Sequence, residues 1–183
     1  MCGMSDETYN IITVPDPVLK QVAQPVSKVD ADLQKQLDKM YTTMREAPGI
    51  GLAANQVGLL NRVFVMHVDE SERSEESTGP VFLVNPEIIW ESEERSVLEE
   101  GCLSIPNQYA EVERAAKVRV KYIDYDGKEQ EMEGSGLISH VIQHELDHLN
   151  GVLFVDYLSR LKRNMMIRKV QKIKSAQDDP TKL

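Results

Sequence analysis

Three features of the sequence predict an α+β fold, with mostly antiparallel sheets around a central buried helix and a long C-terminal helix. Runs from Arg62 to Val68, Val81 to Trp90, Val118 to Asp124 and Lys128 to Glu133 read as strands, and Asp126-Gly127 is a hairpin turn between the last two. Between Leu137 and Leu149 apolar residues cover much of a helical circumference, as in a helix buried on most sides. From about Tyr157 to Ser175 a second helical pattern follows, apolar on one face and basic on the other.

Residues 1–10 are expected to form a flexible N-terminus. Asp30 is placed to cap a helix reaching about Glu46, with Leu33, Leu37, Met40, Tyr41 and Met44 at helical spacing as its buried stripe. Pro48-Gly49 ends it. The small-residue run Gly49-Ile-Gly-Leu-Ala-Ala-Asn-Gln-Val-Gly58 then allows the backbone close approach to another group. Residues 69–79 are polar and charged, a solvated loop, and Pro86 marks the next strand as an edge or a bulge. The buried helix draws on Leu137, Ile138, Val141, Ile142, Leu146 and Leu149 and is closed by Asn150-Gly151. Val152 to Val155 is a short extended piece before the C-terminal helix at about 157–175. There is no internal repeat and no long linker, so residues 1–183 are expected to form a single catalytic domain.

Composition narrows the class. Hydrophobic residues at 41% and charged residues at 28% are a globular balance, and no apolar run approaches a membrane span. Met1 to Asn10 lacks a basic stretch followed by an apolar one, so a cytoplasmic protein is expected. The net charge of -9 argues against general nucleic-acid binding, and no DNA partner is expected. That charge is uneven, because Arg160, Lys162, Arg163, Arg168, Lys169, Lys172 and Lys174 cluster without an intervening acid. The two cysteines, Cys2 and Cys102, cannot make a disulfide framework. Taken alone, Cys102 reads as a small buried hydrophobe.

The chemistry lies in His144-Glu145-Leu146-Asp147-His148 within the buried helix. Residues i and i+4 share a face, so both imidazoles can reach one metal ion while Glu145 handles a proton on its water. The bland alternative is an amphipathic helix with satisfied polar groups. His140, His144 and His148 form a ladder, so His140–His144 is also a possible pair, but only the second pair encloses a glutamate. His144 and His148 are therefore assigned as ligands and His140 as a pocket residue or one behind the ligands. A catalytic ion needs a third protein ligand and one open position. Cys102, in Glu100-Gly-Cys-Leu-Ser-Ile-Pro106, is the best candidate, with Gly101 permitting close approach. A thiolate with two imidazoles suits iron(II), zinc or cobalt.

Three segments in this order and spacing resemble peptide deformylases: Gly49-Ile-Gly-Leu-Ala-Ala-Asn-Gln56, Glu100-Gly-Cys-Leu-Ser104 and Gln143-His-Glu-Leu-Asp-His-Leu149. The resemblance spans about Thr13 to Ser175. It implies a hydrolase that removes the N-formyl group from the N-terminal methionine of nascent proteins and releases formate. Cys102, His144 and His148 would bind one divalent metal, expected to be Fe2+, with Zn2+, Ni2+ or Co2+ able to replace it. Metal-bound water would be the nucleophile and Glu145 the general acid and base, with the Leu103 N–H and the Gln56 amide as oxyanion donors. Gly49, Ile50, Gly51, Gly101, Leu137 and His140 would line the peptide and methionine sites. Arg114 resembles an arginine at the far end of the peptide groove, although an arginine in a charged stretch is more often solvated. Asp147 would tether structure through a basic partner.

The sequence departs from the family at Ser139 and His140, where apolar or small residues are usual. A more polar, pH-sensitive methionine pocket is the consequence expected. Asn55 is a milder departure, standing where Pro or Thr is usual. The basic C-terminal helix implies docking to the ribosome through phosphate attraction, against the plainer reading of a solvated amphipathic helix. Its buried face would be Tyr157, Leu158, Leu161, Met165, Met166, Val170 and Ile173. The protein is expected to act as a monomer on a formylmethionyl peptide, without a membrane. The rival readings are a metallopeptidase with the same histidine–glutamate–histidine helix and a non-catalytic metal-binding module at the ribosome.

Overall fold

The computed structural model describes residues 7–71, 73–178 and 181. Cys2 and most of the expected flexible terminus lie outside these residues. At its described end the chain is tethered, contrary to that expectation: the Tyr9 N–H donates to Thr43 Oγ1 at 2.9 Å, and Lys39 Nζ lies 4.4 Å from the Tyr9 ring centroid. Helix α1 is Ala31–Glu46, and Asp30 caps it by accepting the Leu33 N–H at 2.9 Å. Such a cap contributes about 1 kcal/mol.

Seven strands follow: β1 Gly51–Ala53, β2 Val63–Val68, β3 Gly79–Glu91, β4 Arg95–Cys102, β5 Ile105–Ala115, β6 Lys117–Ile123 and β7 Glu129–Ser135. Helix α2 spans Leu137–Leu149 and α3 spans Arg160–Gln177. Five strands pair in the order β1-β2-β3-β6-β7 and two form the separate hairpin β4-β5, with every strand pairing antiparallel. This is the α+β class expected.

Strand β2 shows why its sequence is apolar throughout. Val63 and Val65 face α1, in a cluster with Leu37, Met40 and Met44. Phe64, Met66 and Val68 face α2, in a cluster with Ile138, Val141 and Ile142. A strand covered on both faces loses its alternation. Pro86 sits in a bulge of the interior strand β3, where register shifts between Val84 and Glu87. There Asn85 takes a φ of 50° and its side chain both accepts from and donates to the Val26 backbone.

The hairpin β4-β5 is the element that periodicity does not disclose. Its inward positions include Ser96, Glu100 and Arg114, so the apolar alternation that marks a half-buried strand is absent. The C-terminal region also differs. Residues Phe154–Tyr157 form a 3-10 turn in place of an extended piece, with Asp156 Oδ2 accepting the Leu153 N–H at 2.9 Å. Helix α3 therefore starts at Arg160, capped by Ser159, rather than at Tyr157. Only Val170 of its residues is fully buried, beside Phe154 and Val112, with Met166 and Ile167 packed partly against them. Tyr157, Leu161, Met165 and Ile173 are 54%, 72%, 47% and 40% exposed, so four residues of the expected buried face point to solvent. Among the described residues no helix is long and apolar enough to cross a membrane.

Candidate active site

Two periodicities meet at the site. Four residues along α2 advance about 6 Å, and two along β4 advance about 6.7 Å, so equivalent positions of helix and strand stay in step. Glu100 and Cys102, two apart on β4, thereby face the histidine ladder of α2. A register shift between Gly101 and Cys102 re-aims the end of the strand, as bulges beside active sites commonly do.

Cys102, His144 and His148 come together, with their candidate ligand atoms all within 4.8 Å of one another. The Nε2 atoms of His144 and His148 are 3.2 Å apart, and Cys102 Sγ is 3.3 Å from His148 Nε2. Donors at 2.0–2.3 Å from one tetrahedral ion stand roughly 3.3–3.6 Å apart, so the trio fits a metal with one position left open. Burial holds His148 neutral, which keeps its lone pair available. Iron(II), zinc, nickel and cobalt are all compatible with this donor set.

His140 is not a member of the trio. Its Nδ1 lies 3.0 Å from Glu100 Oε2 and its Nε2 lies 3.3 Å from Ser96 Oγ. The ring lines the cavity, yet both nitrogens are engaged elsewhere. The polar methionine pocket expected from His140 is therefore corrected. Ser139 likewise turns its hydroxyl away, donating to the Ala115 carbonyl at 2.9 Å.

Glu100, which opens the Glu100–Ser104 motif but gains no role of its own from the sequence, proves central. Burial alone would raise its carboxyl, but hydrogen bonds from His140, His144 and Arg114 outweigh this and hold it well below the usual carboxylate range. Its Oε1 lies 2.9 Å from His144 Nδ1, so an ionised Glu100 makes that nitrogen a donor and turns Nε2 toward Cys102 and His148. Its position two residues before Cys102 is the one signal that the sequence offers for it.

Glu145 is buried, with Oε1 4.0 Å from His144 Nε2 and Oε2 without a partner among the described residues. Burial pushes its pKa up to about 7, His144 and Arg114 pulling against that and Glu100 adding to it. A buried carboxyl that titrates near neutrality beside a metal-ligand trio is suited to moving protons. Gln56 is also buried. Its Oε1 accepts the Ala53 N–H at 3.0 Å, which settles the amide orientation, and its Nε2 faces Ser104 Oγ at 3.1 Å and Cys102 Sγ at 3.5 Å.

These groups open on a cavity of about 700 Å³. Gly49, Ile50, Gly51, Gly101, Leu103, Leu137 and Val141 contribute to its walls. Strand β1 on one side is the edge of its sheet, and β4 on the other pairs with β5 alone among the described strands, its Glu99 carbonyl accepting from Arg73 Nη2 at 2.8 Å, so two strand edges flank the opening. A β-carbon on Gly51 would stand 2.5 Å from Glu145 Oε1, and one on Gly101 would stand 2.6 Å from the Tyr109 ring. Gly51 is therefore demanded by the close approach of buried Glu145, whereas a side chain at Gly101 would have to displace the exposed Tyr109 ring. Arg114 is placed differently from expectation. It is 4% exposed, absent from the cavity wall, and salt-bridged to Glu100 and Asp147 at 2.7 and 2.9 Å. An inward position on β5 leaves it no access to a peptide. Asp147 does have the basic partner expected of it.

Comparison with known proteins agrees with this arrangement. A sequence model of the polypeptide deformylase family matches residues 8–164. A peptide deformylase of Mesorhizobium japonicum is 55% identical over 163 residues, covering 89% of this chain and 91% of that protein. One from Rhizobium meliloti is 54% identical over 162 residues, covering 88% and 91%. A crystal structure of peptide deformylase from Ehrlichia chaffeensis superposes with a TM-score of 0.89 at 39% identity, covering 94% of this chain and 99% of that one. A Met-Ala-Ser-bound deformylase from Acinetobacter baumannii gives 0.77 at 38% identity, covering 82% and 98%. With matches of this extent over a site of this construction, the chain belongs to the peptide deformylase family.

Proposed function

We propose that this hydrolase removes the formyl group from the N-terminal methionine of nascent proteins, with Glu145 carrying the proton transfers. The observation that carries this reading is the buried, unpartnered Glu145 Oε2 beside the Cys102, His144 and His148 trio. When bound to that trio, a divalent ion, iron(II) in this proposal, would polarise the formyl oxygen and acidify a water molecule. Glu145 accepts a proton from the attacking water and returns it to the methionine nitrogen as the C–N bond breaks, leaving formate and a free amine. Gln56 Nε2 and the Leu103 N–H donate to the oxygen as charge builds on it. Gly49, Ile50 and Gly51 on one edge and Gly101 on the other admit the substrate as an extended strand. Leu137 and the carbon edge of His140 wall the methionine side chain. The tripeptide held by the Acinetobacter baumannii enzyme is the deformylated form of formyl-Met-Ala-Ser, which suits a slot of this kind.

The reading is tested by following formate release from formyl-Met-Ala-Ser by anaerobically prepared, iron- or nickel-loaded protein, alongside acetyl-Met-Ala-Ser and an internal peptide. Turnover of the formyl peptide alone is expected. Cleavage of the internal peptide would favour a metallopeptidase instead. In the same assay Gly51→Ala should lose about 10²-fold in rate, because its β-carbon displaces the Glu145 carboxylate, while metal content stays unchanged. Wild-type turnover in that variant would remove Gly51 from the site.

The protein is further proposed to act as one catalytic unit, as a monomer in the cytoplasm, docked on the ribosome by α3. Exposed Lys162, Lys169 and Lys172 beside exposed Leu161 and Met165 support that docking. Truncation would also strip Val170 from its cluster, so charge reversal is the cleaner test. Lys162→Glu, Lys169→Glu and Lys172→Glu together should weaken ribosome binding by about tenfold or more at low salt. Formyl-peptide turnover should be retained. Unaltered, salt-insensitive binding would exclude this surface.

A further inference from the structure

We propose that Arg114, braced by Asp147 and Tyr157, is a positioning residue for the metal centre, acting on His144 through Glu100. This rests on the metal-site reading above and extends it to residues that touch neither substrate nor metal ligand.

An ionised glutamate offers about four acceptor sites. At Glu100 four contacts are made: Oε1 with His144 Nδ1 at 2.9 Å and Arg114 Nη2 at 2.9 Å, Oε2 with His140 Nδ1 at 3.0 Å and Arg114 Nε at 2.7 Å. Rotating the carboxylate breaks several of these at once, so a single orientation satisfies the set. That orientation dictates which His144 nitrogen bears the proton and where its Nε2 points. By contrast, His148 Nδ1 has no partner among the described residues, so this support bears on His144.

Arg114 is the part of the arrangement that comes from outside the motifs. Two of its nitrogens form a planar fork to Glu100, an interaction that lysine cannot reproduce. Its third nitrogen, Nη1, donates to Asp147 Oδ2 at 2.9 Å. The Tyr157 hydroxyl donates to that same oxygen at 2.6 Å, and the Tyr157 ring lies 5.0 Å from the guanidinium carbon. Burial and the Asp147 carboxylate push the Tyr157 pKa up to about 12, so the phenol remains a donor. The strut thus runs from Tyr157, 54% exposed just ahead of α3, through Asp147 and Arg114 to Glu100 and His144. Removing the fork takes away two of the four contacts that hold the Glu100 carboxylate in place, so the oxygen facing His144 Nδ1 is no longer fixed and the ring loses its set orientation.

The test is cobalt(II) affinity, measured by chelator competition and followed by the visible bands of the thiolate-ligated ion. Cys102→Ser serves as the control that assigns those bands. Arg114→Lys keeps the charge and loses the fork, and is expected to weaken cobalt binding about 10–100-fold. Tyr157→Phe keeps the ring over Arg114 and loses the hydroxyl, with about 3–10-fold weakening expected. Both should shift the cobalt bands, which a merely structural role would not do. Tyr157 is largely exposed, so its variant folds even if Arg114→Lys does not. Wild-type affinity within twofold and unchanged bands in Tyr157→Phe and any folded Arg114→Lys, with only a lower melting temperature, would overturn the inference. Absence of thiolate-ligated cobalt from the wild-type protein would be a separate result, removing the metal-site reading and this inference with it.

Discussion

Replacing Glu145 with glutamine is expected to lower formate release about 10²–10⁴-fold while the protein keeps its metal. The side chain keeps its size, so Gly51 still packs against it, but the amide cannot accept and return a proton. The metal should stay because Glu145 is not among the three donors that converge. Stability should not fall either. A buried carboxyl whose pKa is raised to about 7 is poorly accommodated as an anion, and a neutral amide removes that cost. The check is formate release, metal per chain and thermal unfolding measured on one preparation. More than a tenth of wild-type activity with metal intact would take proton transfer away from Glu145.

Gln56 is expected to show the next largest effect. Losing one oxyanion donor costs about 10²–10³ in kcat. Gln56→Leu removes the donor but also strands the Ala53 N–H, at a cost of about 1–3 kcal/mol in stability. Gln56→Glu retains an oxygen for Ala53 and replaces the amide donor with a carboxylate oxygen beside Cys102 Sγ, so the pair loses the donor with and without the Ala53 contact. Both should lower kcat more than they raise KM, as befits an interaction made chiefly in the transition state. If kcat in both variants stays within threefold of wild type, Gln56 only orders the segment from Ala53 to Val57.

Much of this site is legible in the sequence, for a reason that differs from residue to residue. The two helix ligands and Glu145 occupy five contiguous positions, so their shared neighbourhood follows from helix geometry alone. Cys102 is reached less directly, through the need for a third ligand and then the resemblance of its segment to a family, because a lone cysteine carries no periodicity. Arg114 is misplaced by its sequence context for a related reason. A charged residue declares its face only when the strand that carries it is known, and the mixed polarity of β4 and β5 conceals both strands. The apolar residues of α3 are over-assigned to the core because a helix with apolar residues on several sides does not disclose which side meets the body. Val170 does, whereas Leu161 and Met165 do not.

By itself the sequence determined the α+β class, most strands, the start of α1 and the helix that carries His144, Glu145 and His148. These depend on contacts between residues close in the chain. Only the tertiary structure decided what His140 does beside the pair that Glu145 marks. Along a helix, His140–His144 and His144–His148 are equivalent by spacing. They become different when β4 docks alongside, because Glu100 meets His140 and His144 while Cys102, one strand repeat further on, reaches His148. A hydrogen-bonding acceptor at one step and a thiolate at the next make a buttress of His140 beside the ligand pair, a role that no local pattern contains.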